Sequence, residues 1–403
     1  MDPHLRDWLD LLLRWAHVIV GIAWIGASFY FNWLENALER TGKRAGIAGD
    51  LWAIHGGGFY FVEKYELAPA RLPERLHWFK YEAYFTWITG FCLLVVVYYL
   101  DAAAKMIDPE IAAIGPWSAI GIGIGTLVVG WLGYDALCRS RLGERPVALA
   151  LTGFLLAAAV AFALCQLLSG RAAYLHVGAL LGTCMAANVF FVIIPNQKAL
   201  VRAAAEGRRP DPQLGKKALQ RSLHNNYLTL PVVFVMISHH FPATYGHPWN
   251  WAVLAAIALV GAAVRHWFNL RGRGQYNAWL LPAAVLGLVG LALVTSPRAR
   301  SAIAGGGSTA RLELGEPVPF ARVREIVQAR CVSCHSAHPT DEVFTFAQGG
   351  VRLDTPEQIR ARAERIKFRA YDTRTMPFLN KTGMTDEERQ TLARWVLQGA
   401  RLD

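Results

Sequence analysis

Long apolar runs recur along the first three quarters of the chain, separated by short polar segments. Each run approaches the roughly twenty residues that a helix needs to cross a bilayer. The runs lie at 9–34, 79–100, 113–137, 147–168, 172–195, 225–241, 249–270 and 276–296. The pattern therefore predicts an all-α fold that begins with an eight-helix transmembrane bundle, with the sixth helix the shortest.

Beyond residue 296 the pattern changes to that of a small helical domain. Residues 297–317, which include a run of three glycines, are predicted to form a flexible linker. A short helix is predicted over 320–328, and Thr385-Asp386-Glu387-Glu388 has the form of a capping box before a helix over 389–399. The chain thus divides into a membrane domain (1–296), a linker (297–317) and a C-terminal domain (318–403).

Composition supports a membrane protein and indicates its orientation. Of the 403 residues, 54% are hydrophobic and only 18% are charged, too apolar for a soluble chain of this length. Basic residues concentrate in the loops after predicted helices 1, 3, 5 and 7, whereas the alternate loops hold only Lys105 and Arg171. The positive-inside rule then places both termini outside. The net charge of +11 follows from this topology and indicates no nucleic-acid partner.

The pentapeptide Cys331-Val332-Ser333-Cys334-His335 carries the clearest chemistry. A CxxCH motif binds haem covalently through its two thiols and places the histidine beside the iron. A redox CxxC pair, half of a zinc site and chance are the competing interpretations. Attachment of haem c on the outer side agrees with the orientation that the charges indicate.

A second iron ligand is predicted about forty residues further on. Met376, in Thr375-Met376-Pro377, lies where small class I cytochromes c carry their axial methionine. Met384 is a rival, but it falls beside the predicted helix cap. The C-terminal domain is therefore predicted to be a class I cytochrome c with His335 and Met376 as ligands and one haem c.

Histidines within the predicted spans suggest a second haem. Trp15-Ala16-His17-Val18 aligns with Tyr174-Leu175-His176-Val177, and Leu76-His77 aligns with Leu223-His224, as in a 4+4 parallel repeat. Such a repeat would let His17 and His176 clamp a haem b, with His239 and His240 as substitutes. The alternative is that each imidazole is hydrogen-bonded within the bundle.

A different group of polar residues lies on the predicted cytoplasmic side. Glycines expose backbone N–H groups, amides both donate and accept, and lysines supply positive charge. The group resembles either a pocket for a planar anion or an ordinary interfacial loop. It comprises His55, Gly56, Gly57, Gly58, Lys64, His77, Lys80, His224, Asn225 and Asn226.

Taken together, these segments resemble the bacterial membrane-bound urate oxidase (urate hydroxylase) family, whose members also carry a C-terminal cytochrome c. The resemblance rests on Arg14-Trp15-Ala16-His17, the His55-Gly56-Gly57-Gly58-Phe59-Tyr60 loop, Leu76-His77-Trp78-Phe79-Lys80 and His224-Asn225-Asn226-Tyr227. It implies a bacterial inner-membrane enzyme that oxidises urate to 5-hydroxyisourate. Electrons would pass to a periplasmic haem c and on to a soluble cytochrome or terminal oxidase, without hydrogen peroxide.

The resemblance and residue chemistry suggest roles within the membrane domain. His77 or His224 is the predicted base, because loss of two electrons from C5 of urate is easier once a proton leaves. Lys80 and Lys64 would balance the charge of the anion. His55, Gly56, Gly57, Asn225 and Asn226 would hold the edges of the ring.

One alternative site and two alternative functions stay open. Urate could instead bind in an outer cavity near His17, His176 and Arg14, which would need no haem b relay. The chain could also be a quinol:cytochrome c or porphyrinogen oxidoreductase with b- and c-type haems, or a tethered electron carrier.

Overall fold

The computed structural model describes residues 2–109, 111–296, 315–342, 344, 347 and 350–403. The predicted linker lies almost entirely outside this part of the chain. Residues 2–296 form a bundle of helices (the bundle). The bundle helices are α1 Pro3–Ala37, α2 Tyr81–Val97, α3 Ala102–Lys105, α4 Pro116–Arg139, α5 Pro146–Cys165, α6 Gly170–Ala187, α7 Ile194–Ala205, α8 Pro212–Ser238, α9 Pro242–Tyr245, α10 Asn250–Gly272 and α11 Leu280–Val294.

The fold is mostly helical, but one prediction needs correction: the segment treated as a loop after α1 is a β-hairpin. Strands β1 Ile47–His55 and β2 Gly58–Tyr65 pair antiparallel. Gly56 and Gly57 form the two-residue turn, both with positive φ (57° and 80°), which suits the right-handed twist of a hairpin. Alternating large apolar residues on either side of Gly-Gly were the available signal.

Among the described residues, six helices are long and apolar enough to cross a membrane. They are His4–Ala37, Tyr81–Lys105, Pro116–Arg139, Pro146–Cys165, Gly170–Ala205 and Asn250–Gly272. The predicted span 276–296 corresponds to the shorter apolar helix α11. The predicted span 225–241 is the distal part of α8, whose first half is polar. A multi-pass membrane protein is therefore compatible with the fold, whereas eight crossings stay a prediction.

Helix α6 is the central element of the bundle. Its apolar stretch is more than half buried, whereas the other five candidate spans are largely exposed. Glycines allow the close approach of its neighbours: an added Cβ at Gly178 would lie 2.3 Å from Val235 of α8. On α4, a Cβ at Gly123 would lie 2.5 Å from Nε2 of His176. Small residues at helix contacts are the usual device for tight packing in membranes.

Residues 315–403 form a separate helical unit (the C-terminal unit) with its own apolar core. Its helices are α12 Phe320–Arg330, α13 Pro356–Ala361, α14 Ala363–Lys367 and α15 Asp386–Leu397. Helices α12 and α15 confirm the two short helices predicted there, and the Thr385–Glu388 capping box is present. Trp395, only 1% exposed, packs with Val323, Ile326 and Leu392 in this core.

The C-terminal unit contacts the end of the bundle formed by α3, α9 and the start of α6 (the docking end). The Lys105 ammonium lies 4.8 Å from the ring centroid of Phe344, a cation–π distance. A Cβ added at Gly246, which follows α9, would lie 2.9 Å from Cγ2 of Thr375. The hairpin lies by the last residues of α1, because Lys64 pairs with Glu35. That opposite end is called the hairpin end.

Packing around α6 leads to a stability prediction. Gly123→Ala places a methyl group against the buried ring of His176 and the hydroxyl of Tyr99, so overpacking should cost about 1–3 kcal/mol. Gly121→Ala, on an open face of the same helix, is the matched control and should be neutral. Thermal unfolding in detergent measures both; equal melting temperatures would contradict the tight α4–α6 contact.

Candidate functional site

A large cavity lies between the C-terminal unit and the docking end (the crevice). It has a volume of about 1360 Å³, above the range of roughly 300–1,000 Å³ usual for small-molecule sites. Cys331, His335 and Met376 all line it, and so does Met384. The bundle contributes Cys165, Arg171, His239, His240, Tyr245 and Asn250. One thiol of the CxxCH motif, its histidine and the predicted methionine ligand therefore face one space, whereas Cys334 is not on its lining.

The hydrogen bonding of His335 leaves one ring nitrogen available to ligate a metal. Nδ1 of His335 lies 3.2 Å from the carbonyl oxygen of Val351. Because a carbonyl only accepts, Nδ1 carries the proton and Nε2 keeps its lone pair. Burial raises the pKa of Cys331 to about 12 and also raises that of Cys334. A redox CxxC pair needs a lowered thiol pKa, so this environment argues against that interpretation.

Arg389, which is 4% exposed, holds the segment that carries Met376. Its guanidinium donates to the carbonyl oxygen of Met376 at 2.7 Å, to that of Ala370 and to Oδ1 of Asn380 at 3.0 Å. Residues before and after Met376 are thereby fixed to α15. By contrast, Met384 belongs to the apolar core of the unit. Both methionines line the crevice, but Met376 is half-buried whereas Met384 is only 3% exposed, so Met376 is the more accessible of the two.

A second, smaller cavity lies inside the bundle (the bundle cavity). Its volume is about 370 Å³, at the low end for small-molecule sites. Helices α1, α2, α6 and α8 enclose it, and its lining combines aromatic, hydroxyl and cationic side chains. These side chains include Arg14, His17, Trp24, Thr86, Trp87, Phe91, Tyr98, Arg171, Thr183, Thr229, His239 and His240.

His17 is oriented by a hydroxyl on α2. Oγ1 of Thr89 lies 2.6 Å from the carbonyl oxygen of Phe85, so its hydrogen points there. Nδ1 of His17, 3.0 Å from the same Oγ1, must then donate. That tautomer leaves Nε2 with a lone pair. Gly90 makes room for the ring, since a Cβ there would lie 2.9 Å from Cε1 of His17.

Three side chains line both cavities: Arg171, His239 and His240. Arg171, at the start of α6, has a buried Nε with no hydrogen-bond partner in the part of the chain that is described. Its guanidinium carbon lies 5.9 Å from the ring centroid of Tyr98. The His239 and His240 rings have centroids 3.8 Å apart. We call these three residues the shared wall.

His176 does not line either cavity, although His17 lines one of them. Nδ1 of His176 lies 2.8 Å from the carbonyl oxygen of Ala172, and Nε2 lies 3.3 Å from the hydroxyl of Tyr99. Both ring nitrogens are engaged and the side chain is fully buried. The structure therefore does not bring His17 and His176 around one space, whereas it does bring together His17, His239 and His240.

The residues predicted on the cytoplasmic side are dispersed. His55, Gly56 and Gly57 form the exposed hairpin tip, and Lys64 pairs with Glu35 at its root. His77 is exposed and packs edge-on against Phe79, with ring centroids 4.4 Å apart. The Lys80 ammonium lies 4.9 Å from the ring centroid of Tyr81. None of them lines the crevice or the bundle cavity.

His224, Asn225 and Asn226 of α8 belong instead to hydrogen-bond networks between helices. Nδ1 of His224 lies 2.8 Å from the Tyr134 hydroxyl. Oδ1 of Asn225 accepts from Nδ2 of Asn188 at 2.8 Å, and Oδ1 of Asn226 accepts from Nε of Arg265 at 3.0 Å. These contacts hold α8 to α4, α10 and the π turn Asn188–Ile193 that follows α6. Their predicted catalytic and binding roles stay predictions.

Comparison with known proteins identifies the bundle. A family model described as urate oxidase N-terminal matches residues 3–296. The chain belongs to this urate oxidase N-terminal family. Searches of curated proteins and of solved structures gave no match. The match covers the whole bundle and supports a urate oxidase-like oxidoreductase, with urate as the substrate consistent with the family.

Sequence reasoning missed Arg171 as a site residue. The available signal was its position, because Arg171 and Lys105 are the exceptions to the concentration of basic residues on one side. Cations that break the positive-inside pattern are candidates for specific contacts. In the structure, Lys105 faces Phe344 and Arg171 lies in the shared wall.

Arg389→Met tests how the Met376 segment is held. Loss of hydrogen bonds from a buried charged donor should destabilise the C-terminal unit by about 2–4 kcal/mol. Arg374→Met is the matched control, because the Arg374–Asp386 pair is exposed (60% and 65%) and such pairs contribute little. The proteolysis rate of the C-terminal unit reports the difference; equal rates would remove Arg389 from this role.

Proposed function

We propose that this protein is a membrane-bound urate dehydrogenase that oxidises urate in the bundle cavity and is linked to a haem c in the crevice. The observation that carries the proposal is the shared wall, since Arg171, His239 and His240 border both cavities. Oxidation of urate to 5-hydroxyisourate takes its added oxygen from water and releases two protons and two electrons, which a haem c would accept one at a time and pass to a downstream acceptor. A substrate cavity and an acceptor cavity with a common wall are what that reaction needs.

The residues around the crevice fit a haem c. Cys331 and Cys334 would form its thioether links, and His335 and Met376 offer an imidazole nitrogen and a thioether sulfur to the iron. The arginines on the crevice lining suit its propionates; they are Arg171, Arg362, Arg365, Arg369, Arg374 and Arg389. When bound, a haem c supplies one-electron redox chemistry.

The bundle cavity fits a small planar anion. Trp24, Trp87 and Phe91 supply flat apolar surfaces, and Thr86 and Thr183 supply hydroxyl groups. Positive charge comes from Arg171, whose buried Nε is a donor without an acceptor among the described residues. His17 carries an unprotonated Nε2 that accepts a proton from the substrate as it is oxidised. Outer-end binding of urate was one of the two alternatives that the sequence left open.

The same cavity suggests a second candidate function, that of a quinol or porphyrinogen oxidoreductase. In that case a b-type haem would lie between His17 and His239 or His240. The observation in its favour is that these histidines line one apolar cavity. A space of about 370 Å³ suits a bicyclic purine better than a porphyrin macrocycle. We therefore favour urate as the occupant, with the downstream acceptor a soluble cytochrome or a terminal oxidase.

Histidine variants distinguish the outer and cytoplasmic substrate sites. His17→Ala should lower urate-dependent haem reduction by about 100-fold or more, because a general base is typically worth that much. His77→Ala, at an exposed position, should leave it unchanged. Anaerobic stopped-flow spectroscopy after urate addition measures the rate, and dithionite measures total haem.

The reverse pattern, with His77→Ala inactive and His17→Ala active, would move the site to the cytoplasmic side. Loss of a b-type absorption band in His17→Ala would instead support the haem b alternative. Absence of any reduction of the wild type by urate would refute the urate assignment.

The docked position of the C-terminal unit gives an independent prediction. Lys105→Gln removes a cation–π contact worth about 0.5–1 kcal/mol, so urate-dependent haem reduction should slow about two- to fivefold. Lys381→Gln is the control, since Lys381 contacts the same Phe344 from within the C-terminal unit. Urate oxidation with a soluble dye as acceptor should be unchanged in both variants; equal haem reduction rates would argue against this interface.

A further inference from the structure

The distal part of the β1–β2 hairpin exposes large apolar side chains. In the antiparallel register, Trp52 lies opposite Phe61 and Ile54 lies opposite Phe59, which puts all four on one face. Trp52 and Ile54 are each 67% exposed and Phe59 is 77% exposed. On the opposite face Tyr60 is also exposed. Apolar surface therefore surrounds the tip.

Charge is absent from this part of the hairpin and concentrated at its root. Residues 51–62 contain no Asp, Glu, Lys or Arg. At the root, Asp50 pairs with Lys43 at 2.8 Å and Glu63 pairs with Arg44 at 2.7 Å. The hairpin thus has an uncharged distal part and a charged base. This polarity is typical of elements that enter the membrane interface and is unusual for an arm in water.

The described chain supplies no cover for this surface. The contacts recorded for the hairpin with other elements lie at its root, such as the Glu39–Asp50 bridge and the Lys64–Glu35 pair. A two-stranded hairpin without a packed face is marginal in water. An apolar environment outside the described chain must therefore cover Trp52, Ile54, Phe59 and Phe61.

The neighbouring residues indicate that this phase is lipid. Exposed aromatic side chains lie in the last turns of α1 and around the start of α2, as in the aromatic belts of membrane proteins. They are Tyr30, Phe31, Trp33, Phe79 and Tyr81. Exposed Arg40, Arg71 and Arg75 lie in the same region of the chain and suit anionic headgroups. A second copy of the chain would cover one flat face, whereas here apolar side chains surround the tip.

We propose that the hairpin tip inserts into the headgroup region of the bilayer beside the hairpin end of the bundle and anchors that end to anionic lipid. The face Trp52, Ile54, Phe59 and Phe61 meets the acyl boundary, and the charged root stays at the surface. The open peptide groups of the Gly56–Gly57 turn limit the depth to the interface, because the hydrocarbon core offers them no partner. This inference is independent of the proposed function.

Photocrosslinking of the full chain in nanodiscs tests it. Phe59→p-benzoylphenylalanine is close in shape to the native residue and should form lipid adducts, detected by mass spectrometry. Arg44→p-benzoylphenylalanine, at the root, should give several-fold fewer. Adducts at Phe59 should rise when the nanodisc contains phosphatidylglycerol in addition to phosphatidylcholine.

Phe31→p-benzoylphenylalanine, on α1, serves as the reference for a lipid-facing position. Lipid adducts at residue 31 but none at residue 59 would show that the tip lies in water and would overturn the proposal. A crosslinked dimer at residue 59 in place of lipid adducts would overturn it in favour of a second copy of the chain.

Discussion

Close packing of α6 against α4 and α8 is the constraint on which the rest of the structure depends. Gly123 and Gly178 allow neighbouring side chains to approach to distances that any Cβ would forbid. Without a hydrophobic drive between helices in lipid, such contacts supply much of the packing energy. They also fix the rotation of α6 about its axis. That rotation turns Leu175 and Thr183 toward the bundle cavity and His176 away from it.

The two cations that break the charge asymmetry have a common physical explanation. An unpaired charge inside an apolar bundle is costly, so it is retained where a specific contact or ligand compensates it. The Lys105 ammonium makes a cation–π contact with an aromatic ring of the C-terminal unit. Arg171 borders two cavities and keeps a buried donor without an acceptor among the described residues. Under the proposed function, a urate anion or a haem propionate is that acceptor.

Sequence predicted the features that depend on local spacing. Five of the predicted spans coincide with long candidate helices and one with part of such a helix; α12, α15 and the Thr385 capping box follow from periodicity and cap residues. The CxxCH motif and Met376 were found by spacing alone, and Cys331, His335 and Met376 line the crevice. The hairpin was missed because three consecutive glycines suggested an irregular loop, although Gly-Gly between alternating apolar residues is a hairpin signal.

Placement of side chains around the bundle could not be predicted in the same way. The alignment of His17 with His176 matched their depth but held no information on the direction of each ring, because helix rotation depends on contacts distant in sequence. His239 and His240 were named only as substitutes, yet they share a cavity with His17. The Asn225 and Asn226 amides suggested a pocket, but the structure uses them to join helices.

Under the proposed function, the relation between the two cavities also removes a difficulty with electron transfer. If urate bound at the hairpin end, electrons would have to cross most of a hydrocarbon layer about 30 Å thick, and a haem b relay would be needed. The bundle cavity instead shares Arg171, His239 and His240 with the crevice. A substrate in that cavity would share these three side chains with the space that Cys331 and His335 line. Under the proposed function, electrons would then pass from the bundle cavity to the crevice at the docking end without crossing the bundle.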